Sequence, residues 1–246
     1  MYRFFVEEHQ IEPTRIHITG SDVNHIRNVL RMKPGEEILV SAQGKLEYRC
    51  RIEELGEEEV TAVILYAMES DLELPADVYL FQGLPKGDKM EFIIQKAVEL
   101  GVHEVIPVAS RRCVVKLDEK KARNKTARWQ GISESAAKQS KRMIVPEIHP
   151  VMNFSEALQY AKKLDLILVP YELAKGIGHT RELFASIRPG QSVGIFIGPE
   201  GGFEEEEIRQ AVDAGAMPIT LGRRILRTET AGMTVLSILM YLMEEE

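Results

Sequence analysis

An α/β fold with a parallel sheet, preceded by a small β-rich unit, is predicted from a change of rhythm near Pro75. Before it, short stretches alternate apolar and polar residues, the period of half-buried strands. After it, continuous apolar runs alternate with amphipathic stretches, as in strands buried on both faces and joined by helices. The 246 residues, 44% hydrophobic and 28% charged, suffice for one large or two modest domains with ordinary cores.

In the first unit, Arg15 to Thr19 alternates as a strand, and Tyr48, Cys50 and Ile52 share a face opposite Arg49, Arg51 and Glu53. Lys33-Pro34-Gly35 and Gln43-Gly44-Lys45 read as turns between such runs. One helix interrupts them, with Ser21 as N-cap, Val23, Ile26 and Leu30 on its buried stripe, and Arg27 and Arg31 on the other face. The polar stretch Glu69 to Pro75 reads as a linker, which divides the chain into domains 1–72 and 73–246. Beyond it, strands are expected at Val78–Leu84, Glu104–Val108, Leu164–Val169, Ser192–Ile197 and Pro218–Leu221. Helices are expected over Glu91–Leu100, Glu119–Ser140, Ser155–Lys163 and Glu204–Ala214, with Gly101 and Gly215 as stops, and an apolar helix, Ala231–Met243, closes the chain.

Several function classes are excluded. Two cysteines, Cys50 and Cys113, make no disulfide scaffold and no zinc-ligand spacing. The six histidines show no ligand spacing either, so no metal is expected. Glu7 and Glu8 stand where a signal peptide needs an apolar core, and the most apolar stretch, Val235 to Met243, is too short to span a bilayer. A soluble, cytoplasmic protein is expected. Net charge is −7, yet Arg111 to Arg142 holds eleven Lys/Arg against three acids. Two readings of that segment stay open, a phosphate-binding footprint and a solvated lysine-rich helix.

Ligands of open parallel sheets bind beyond the carboxyl ends of the strands. Three strand ends lead into unusual loops: Val169-Pro170-Tyr171-Glu172, Gly198-Pro199-Glu200-Gly201-Gly202, and Leu221-Gly222 continuing to Ala231. Three glycines in five positions let a backbone approach a ligand closely. Glu200 and the following glutamates would repel an anion at the next helix N-terminus, so a neutral or cationic ligand suits the charge. The third segment sets Arg227, Thr228, Glu229 and Thr230 before a very apolar helix, where a plain connector needs none of them. No dinucleotide fingerprint, phosphate loop, GxSxG, HExxH or EF-hand pattern is present.

The segments HIRNVLR (His25–Arg31), KGDKMEFIIQKAVELG (Lys86–Gly101), SRRCVVKL (Ser110–Leu117), GPEGG (Gly198–Gly202) and LGRRILRTETA (Leu221–Ala231) together resemble the bacterial 16S ribosomal RNA uridine-N3 methyltransferases, the RsmE family of the SPOUT superfamily. The resemblance implies a PUA-like β-barrel followed by a SPOUT-type α/β domain with a parallel sheet and a trefoil knot. It implies S-adenosylmethionine in that knot, walled by Val169, Pro170, Tyr171, Gly198, Pro199, Glu200, Gly201, Gly202, Leu221, Gly222, Ile225, Leu226, Arg227, Thr230 and Ala231. Backbone groups of Leu221, Ile225 and Leu226 would read the adenine edge, with the glycine loop near the ribose. It further implies a homodimer, part of whose interface the closing helix could supply, and the small ribosomal subunit as partner.

Methylating N3 of uridine requires loss of an imide proton and stabilisation of negative charge at O2 and O4. Arg227 is the candidate for the electrostatic role, and Glu200 and Glu229 are candidates for the base, although Glu229 could equally cap the last helix. Arg27, Arg31, Lys86, Lys89, Arg111, Arg112, Lys138 and Arg142 are expected to hold RNA phosphates. A non-catalytic RNA-binding module of the same fold is the alternative class, against which the intact GPEGG and LRTETA segments argue; another RNA site or base also stays open.

Overall fold

The computed structural model describes every residue except Gln43, Lys45, Ser70, Asp71, Lys175, Glu245 and Glu246. The expected turn at 43–45 and linker positions 70 and 71 therefore lie wholly or partly outside the described residues. The chain forms two units, Met1–Glu73 with Ala137–Val145, and Leu74–Ala136 with Pro146–Glu246.

The first unit is a five-stranded sheet in the order β1-β3-β4-β5-β2, with β1 Arg3–Phe5, β2 Arg15–Thr19, β3 Glu37–Ser41, β4 Leu46–Leu55 and β5 Glu59–Glu69. Strand β1 runs parallel to β3, and the other pairs are antiparallel. Alternation turns Ile16, Ile18, Ile38, Val40, Cys50, Ile52, Val60 and Ala62 into one core. Helix α1 (Ser21–Asn24) continues into a wider turn over His25–Val29. Its N-cap is Gly20, at φ 74, rather than Ser21, because the chain enters the helix through a conformation that glycine adopts without steric cost. Val23 and Ile26 are buried as expected, Arg27 is half-buried, and Arg31 is exposed at φ 54.

Residues 137–145 belong with this sheet because long-range polar contacts hold them there. Arg3 bonds the Lys141 carbonyl and, at 2.7 Å, the Arg142 carbonyl, while Ser41 Oγ donates to Met143 O at 2.7 Å. Glu73 accepts from Met143 N at 2.8 Å and from Arg142 Nε at 3.0 Å.

The second unit carries a seven-stranded, wholly parallel sheet: β6 Asp77–Gly83, β7 Glu104–Ala109, β8 Glu147–Ile148, β9 Met152–Asn153, β10 Leu166–Pro170, β11 Ser192–Ile197 and β12 Met217–Ile219. Its order is β12-β10-β11-β6-β7-β8, with β9 also paired to β7. The helices are α2 Lys89–Glu99, α3 Glu119–Ser140, α4 Phe154–Ala161, α5 Ile177–Ser186, α6 Glu205–Asp213 and α7 Thr228–Met243. In the core, Phe81 stacks on Phe196 with ring centroids 4.2 Å apart. Gly194 makes room for this stack, since a Cβ there would lie 3.1 Å from the Phe81 ring and 2.9 Å from Leu164. Helix α5 and the two-residue strands β8 and β9 are additions to the elements expected, and α7 begins three residues earlier than expected. Among the described residues no helix is long and apolar enough to cross a membrane.

Candidate active site

Strands β10, β11 and β12 end side by side, with Leu168 opposite both Ile195 and Met217, and Pro170 opposite Ile219. This is the end of a parallel sheet where ligands are held. Tyr171 N donates to Ile219 O at 3.0 Å, and Thr220 N donates to Thr180 Oγ1 at 3.1 Å, which ties the loops after β10 and β12 to each other and to α5. The glycine loop closes on itself: Gly202 N donates to Pro199 O at 2.8 Å, and a Cβ on Gly198 would lie 2.9 Å from Gly202 Cα. Gly202 and Gly222 sit at φ 67 and 116, and a Cβ on either would meet nothing within 4 Å. Both therefore border open space with backbone conformations that side chains disfavour.

Thr228 joins these parts. Its hydroxyl donates to Gly198 O at 2.6 Å and accepts from Gln82 Nε2 at 2.8 Å, and that amide also donates to Gly83 O at 2.9 Å. The buried chain Gln82–Thr228–Gly198 thus pins the end of β6, the start of α7 and the glycine loop together. Gly83 packs directly under the loop, since a Cβ there would lie 2.6 Å from Pro199 Cδ. Sequence reading missed Gln82, which looked like one polar residue in a strand, and the part played by Thr228.

A second clamp is Glu207, 2% exposed. Its two oxygens accept from Arg111 N at 2.9 Å and from Glu204 N at 2.9 Å, which fastens the loop after β7 to the start of α6. Within a run of glutamates no pattern marks it out. Arg112 adds a hydrogen bond of 2.9 Å to Gly201 O.

Two of the three candidate catalytic residues, Glu200 and Glu229, meet at Lys89. Its ammonium lies 3.0 Å from Glu200 Oε1 and 3.4 Å from Glu229 Oε2. Glu200 also accepts from Lys86 N at 3.1 Å. Burial pushes the Glu200 carboxyl up, but its own backbone N–H, the Lys89 ammonium and the Lys86 amide outweigh burial and hold it below the ordinary glutamate range. The 3.4 Å contact to Glu229 falls outside hydrogen-bond geometry, so that buried oxygen keeps no hydrogen-bond donor among the described residues. Arg227 is exposed at the N-cap position of α7, and its guanidinium makes no ion pair among the described residues.

Among the other expected donor-site residues, Val169 points into the core, leaving its backbone for the site, while Pro170 and Tyr171 are half-buried at the mouth. Leu221 and Leu226 are half-buried, and Ile225 is 86% exposed. Thr230 and Ala231 lie in the first turn of α7 rather than in a loop.

The expected RNA contacts divide. Lys86, Arg111 and Arg112 are exposed beside the glycine loop. Lys89 is engaged by two carboxylates, which also raise its pKa, Glu200 foremost. Lys138 and Arg142 are corrected. Lys138 Nζ pairs with Asp22 at 2.7 Å, and Arg142, 4% exposed, is locked to Glu73, so both charges serve the interior of the first unit. Among the histidines, His149 Nε2 lies 2.7 Å from Glu104, which Tyr160 OH bonds at 2.7 Å, and Glu104, Glu147 and His149 bring possible ligand atoms within 4.8 Å. That group is at the amino-terminal ends of β7 and β8, remote from the glycine loop. Cys113 is buried.

A family model described as an RNA methyltransferase domain matches residues 72–240, and one described as an RNA methyltransferase PUA domain matches residues 18–65. The ribosomal RNA small subunit methyltransferase E of Bacillus subtilis is 41% identical over 98% of this chain and 96% of its own length. The structure of a ribosomal RNA small subunit methyltransferase E from Neisseria gonorrhoeae bound to S-adenosylmethionine is 35% identical, with a TM-score of 0.83 over 98% of both chains. A putative methyltransferase of Legionella pneumophila, in complex with the same cofactor, is 32% identical, with a TM-score of 0.85 over 98% of this chain and 97% of its own.

Proposed function

The chain belongs to the ribosomal RNA small subunit methyltransferase E family, and from that premise we propose that it transfers the methyl group of S-adenosylmethionine to N3 of a uridine in 16S ribosomal RNA. It is a methyltransferase of small-subunit ribosomal RNA with S-adenosylmethionine as donor. The observation that carries the reading is the convergence of three strand-end loops, two of them opened by left-handed glycines, at the carboxyl end of the parallel sheet.

The donor supplies an electrophilic methyl carbon; the chain orients it and prepares the base. Gly198, Gly202 and Gly222 offer backbone to the adenosine, and the Thr228 clamp keeps them in register. N3 loses its proton as the new N–C bond forms and S-adenosylhomocysteine leaves. Arg227, without an ion-pair partner among the described residues, is placed to stabilise charge developing at O2 or O4. Glu229 is the better base of the two carboxylates, because its Oε2 receives no hydrogen bond among the described residues, whereas Glu200 accepts from Lys86 N and Lys89 and is held below the ordinary glutamate range. Arg27 and Arg31 on the first unit, with Lys86, Arg111 and Arg112 on the second, hold RNA phosphates.

The chain is a cytoplasmic homodimer in this reading. Tyr241, Leu242 and Ile238 of α7 are 82%, 52% and 37% exposed, an apolar face that a second copy would cover. The trefoil knot is supported by the path of the chain after β12: that strand lies at the sheet edge beside β10, yet α7 packs against α2, β6 and β11. Mass-spectrometric mapping of nucleosides in 16S RNA, after incubating unmethylated small subunits with the protein and donor, tests the function. A 3-methyluridine is expected; methylation of another base, or none, overturns it.

A further inference from the structure

Beside the glycine loop, at the carboxyl ends of β6 and β7, the second unit contains a cavity of about 380 Å³. Leu84, Cys113 and Leu117 supply apolar wall, and Ser110, Arg111 and Lys116 supply polar groups. Its size falls in the range of pockets that enclose small ligands, about 300–1,000 Å³. The loop that forms it is held fast. Cys113 N donates to Ser110 O at 3.1 Å, the Ser110 hydroxyl lies 3.3 Å from Cys113 Sγ, and Arg111 N is fastened to buried Glu207. A pocket with apolar walls and two cations among its lining residues suits a base that carries a phosphate.

The cavity shares two walls with the donor loop. Leu84 directly follows Gly83, which packs under Pro199, and Arg112, within the cavity-forming loop, bonds Gly201 O. Whatever occupies the cavity therefore lies beside the glycine loop that the proposed function gives to the donor. An enzyme that alkylates a base edge acts on an unpaired base or takes the base out of its stack into a pocket. We infer that this cavity receives the target uridine, flipped out of the RNA, with Leu84 and Leu117 against the faces of the ring and Arg111 and Lys116 on its phosphates. The 3.3 Å pair between Arg111 and Glu204 is exposed and readily exchanged for a phosphate. The assignment rests on the reading of the chain as a uridine methyltransferase.

Val115→Trp and Leu117→Trp fill the cavity, while Lys116→Ala removes one cation at its mouth. S-adenosylmethionine binding by calorimetry, thermal midpoints by circular dichroism, and methyl transfer to unmethylated small subunits are measured on each. The filled variants are expected to bind donor within twofold of the unaltered protein and to lose at least a hundredfold in kcat/KM. Lys116→Ala should raise KM for the subunit about tenfold with kcat within threefold. Should a tryptophan variant fail to fold, photocrosslinking of 16S RNA carrying 4-thiouridine at the methylated position decides, and crosslinks must fall within Ser110–Leu117. Filled variants that transfer normally, or crosslinks confined elsewhere, overturn the inference, and loss of donor affinity would give the cavity to the donor instead. If the unaltered protein methylates a base other than uridine, the functional reading fails, and the filled variants still show whether that base uses the cavity.

Discussion

Replacing Thr228 by valine keeps the shape of the side chain and removes its hydroxyl. Two hydrogen bonds disappear, the part-buried donation to Gly198 O at 2.6 Å and the buried acceptance from Gln82 Nε2 at 2.8 Å. Gln82 retains its bond to Gly83 O, so the carbonyl of Gly198 is the group left short of a donor. At about 1 kcal/mol net for each bond, the second unit should lose about 2 kcal/mol. With a urea slope of about 2.5 kcal/mol per molar, its unfolding midpoint should fall by about 0.8 M. Trp129, the single tryptophan, is buried at 2% in α3 of that unit and reports the transition by fluorescence. The glycine loop would also lose its tether to α7, so donor affinity should fall about tenfold, or about 1.4 kcal/mol. Thr228→Ser restores the hydroxyl and should recover most of both losses. A valine variant with the midpoint and donor affinity of the unaltered protein would refute the claim that this hydroxyl holds the site together.

Glu207→Ala strips the acceptor from two N–H groups and should cost about 2–3 kcal/mol in urea unfolding of the second unit, with RNA affinity falling further than donor affinity. Arg142→Met breaks a buried ion pair and should destabilise the first unit by about 3 kcal/mol, while the salt dependence of RNA binding stays unchanged. Arg27→Ala and Arg31→Ala should each lower the slope of log affinity against log salt by about 0.7–0.9, with donor binding unaffected in calorimetry. His149, its pKa raised chiefly by its bond to Glu104, contributes stability that is complete below about pH 6.5 and lost as pH rises through its folded value. Burial pushes Glu104 up, but the bonds from His149 and Tyr160 outweigh it, so its share is present above about pH 4.3 and lost as pH falls through the folded value. Urea titrations should therefore show this pair most stabilising between those limits, and His149→Gln should flatten the decline above pH 6.5.

Elements with dense apolar patterning were legible in the sequence. Ser192–Ile197 is a continuous apolar run and forms the strand expected, and the basic helix Glu119–Ser140 keeps its bounds. Helix α5 was not legible, because Gly176 and Gly178 obscure its start and only Thr180 and Phe184 are buried, too thin a stripe to show a period. The strands β8 and β9, two residues each, are too short for any periodicity. The polar residues Thr228, Glu229 and Thr230 read as loop because polarity masks a helix that starts under the glycine loop. The three strand-end loops were visible from their position after strands, and two of them also from their glycines. The clamps were not, since Gln82 finds Thr228 146 residues away and Glu207 finds Arg111 96 residues away. Counting charge likewise misassigned Arg142 and Lys138, whose partners Glu73 and Asp22 lie 69 and 116 residues distant.

The central claim is that the donor lies in the groove formed by the loops after β10, β11 and β12. Gly222 borders that groove at φ 116 with open space beside it, so Gly222→Val would both strain the backbone and occupy the groove. Calorimetric titration of S-adenosylmethionine into the unaltered protein and this variant is the direct measurement. Saturable binding to the former, and at least tenfold weaker binding to a variant that still unfolds cooperatively by Trp129 fluorescence, with its stability lowered by about 1 kcal/mol of backbone strain, is the predicted result. Equal affinity in the two proteins would contradict the account.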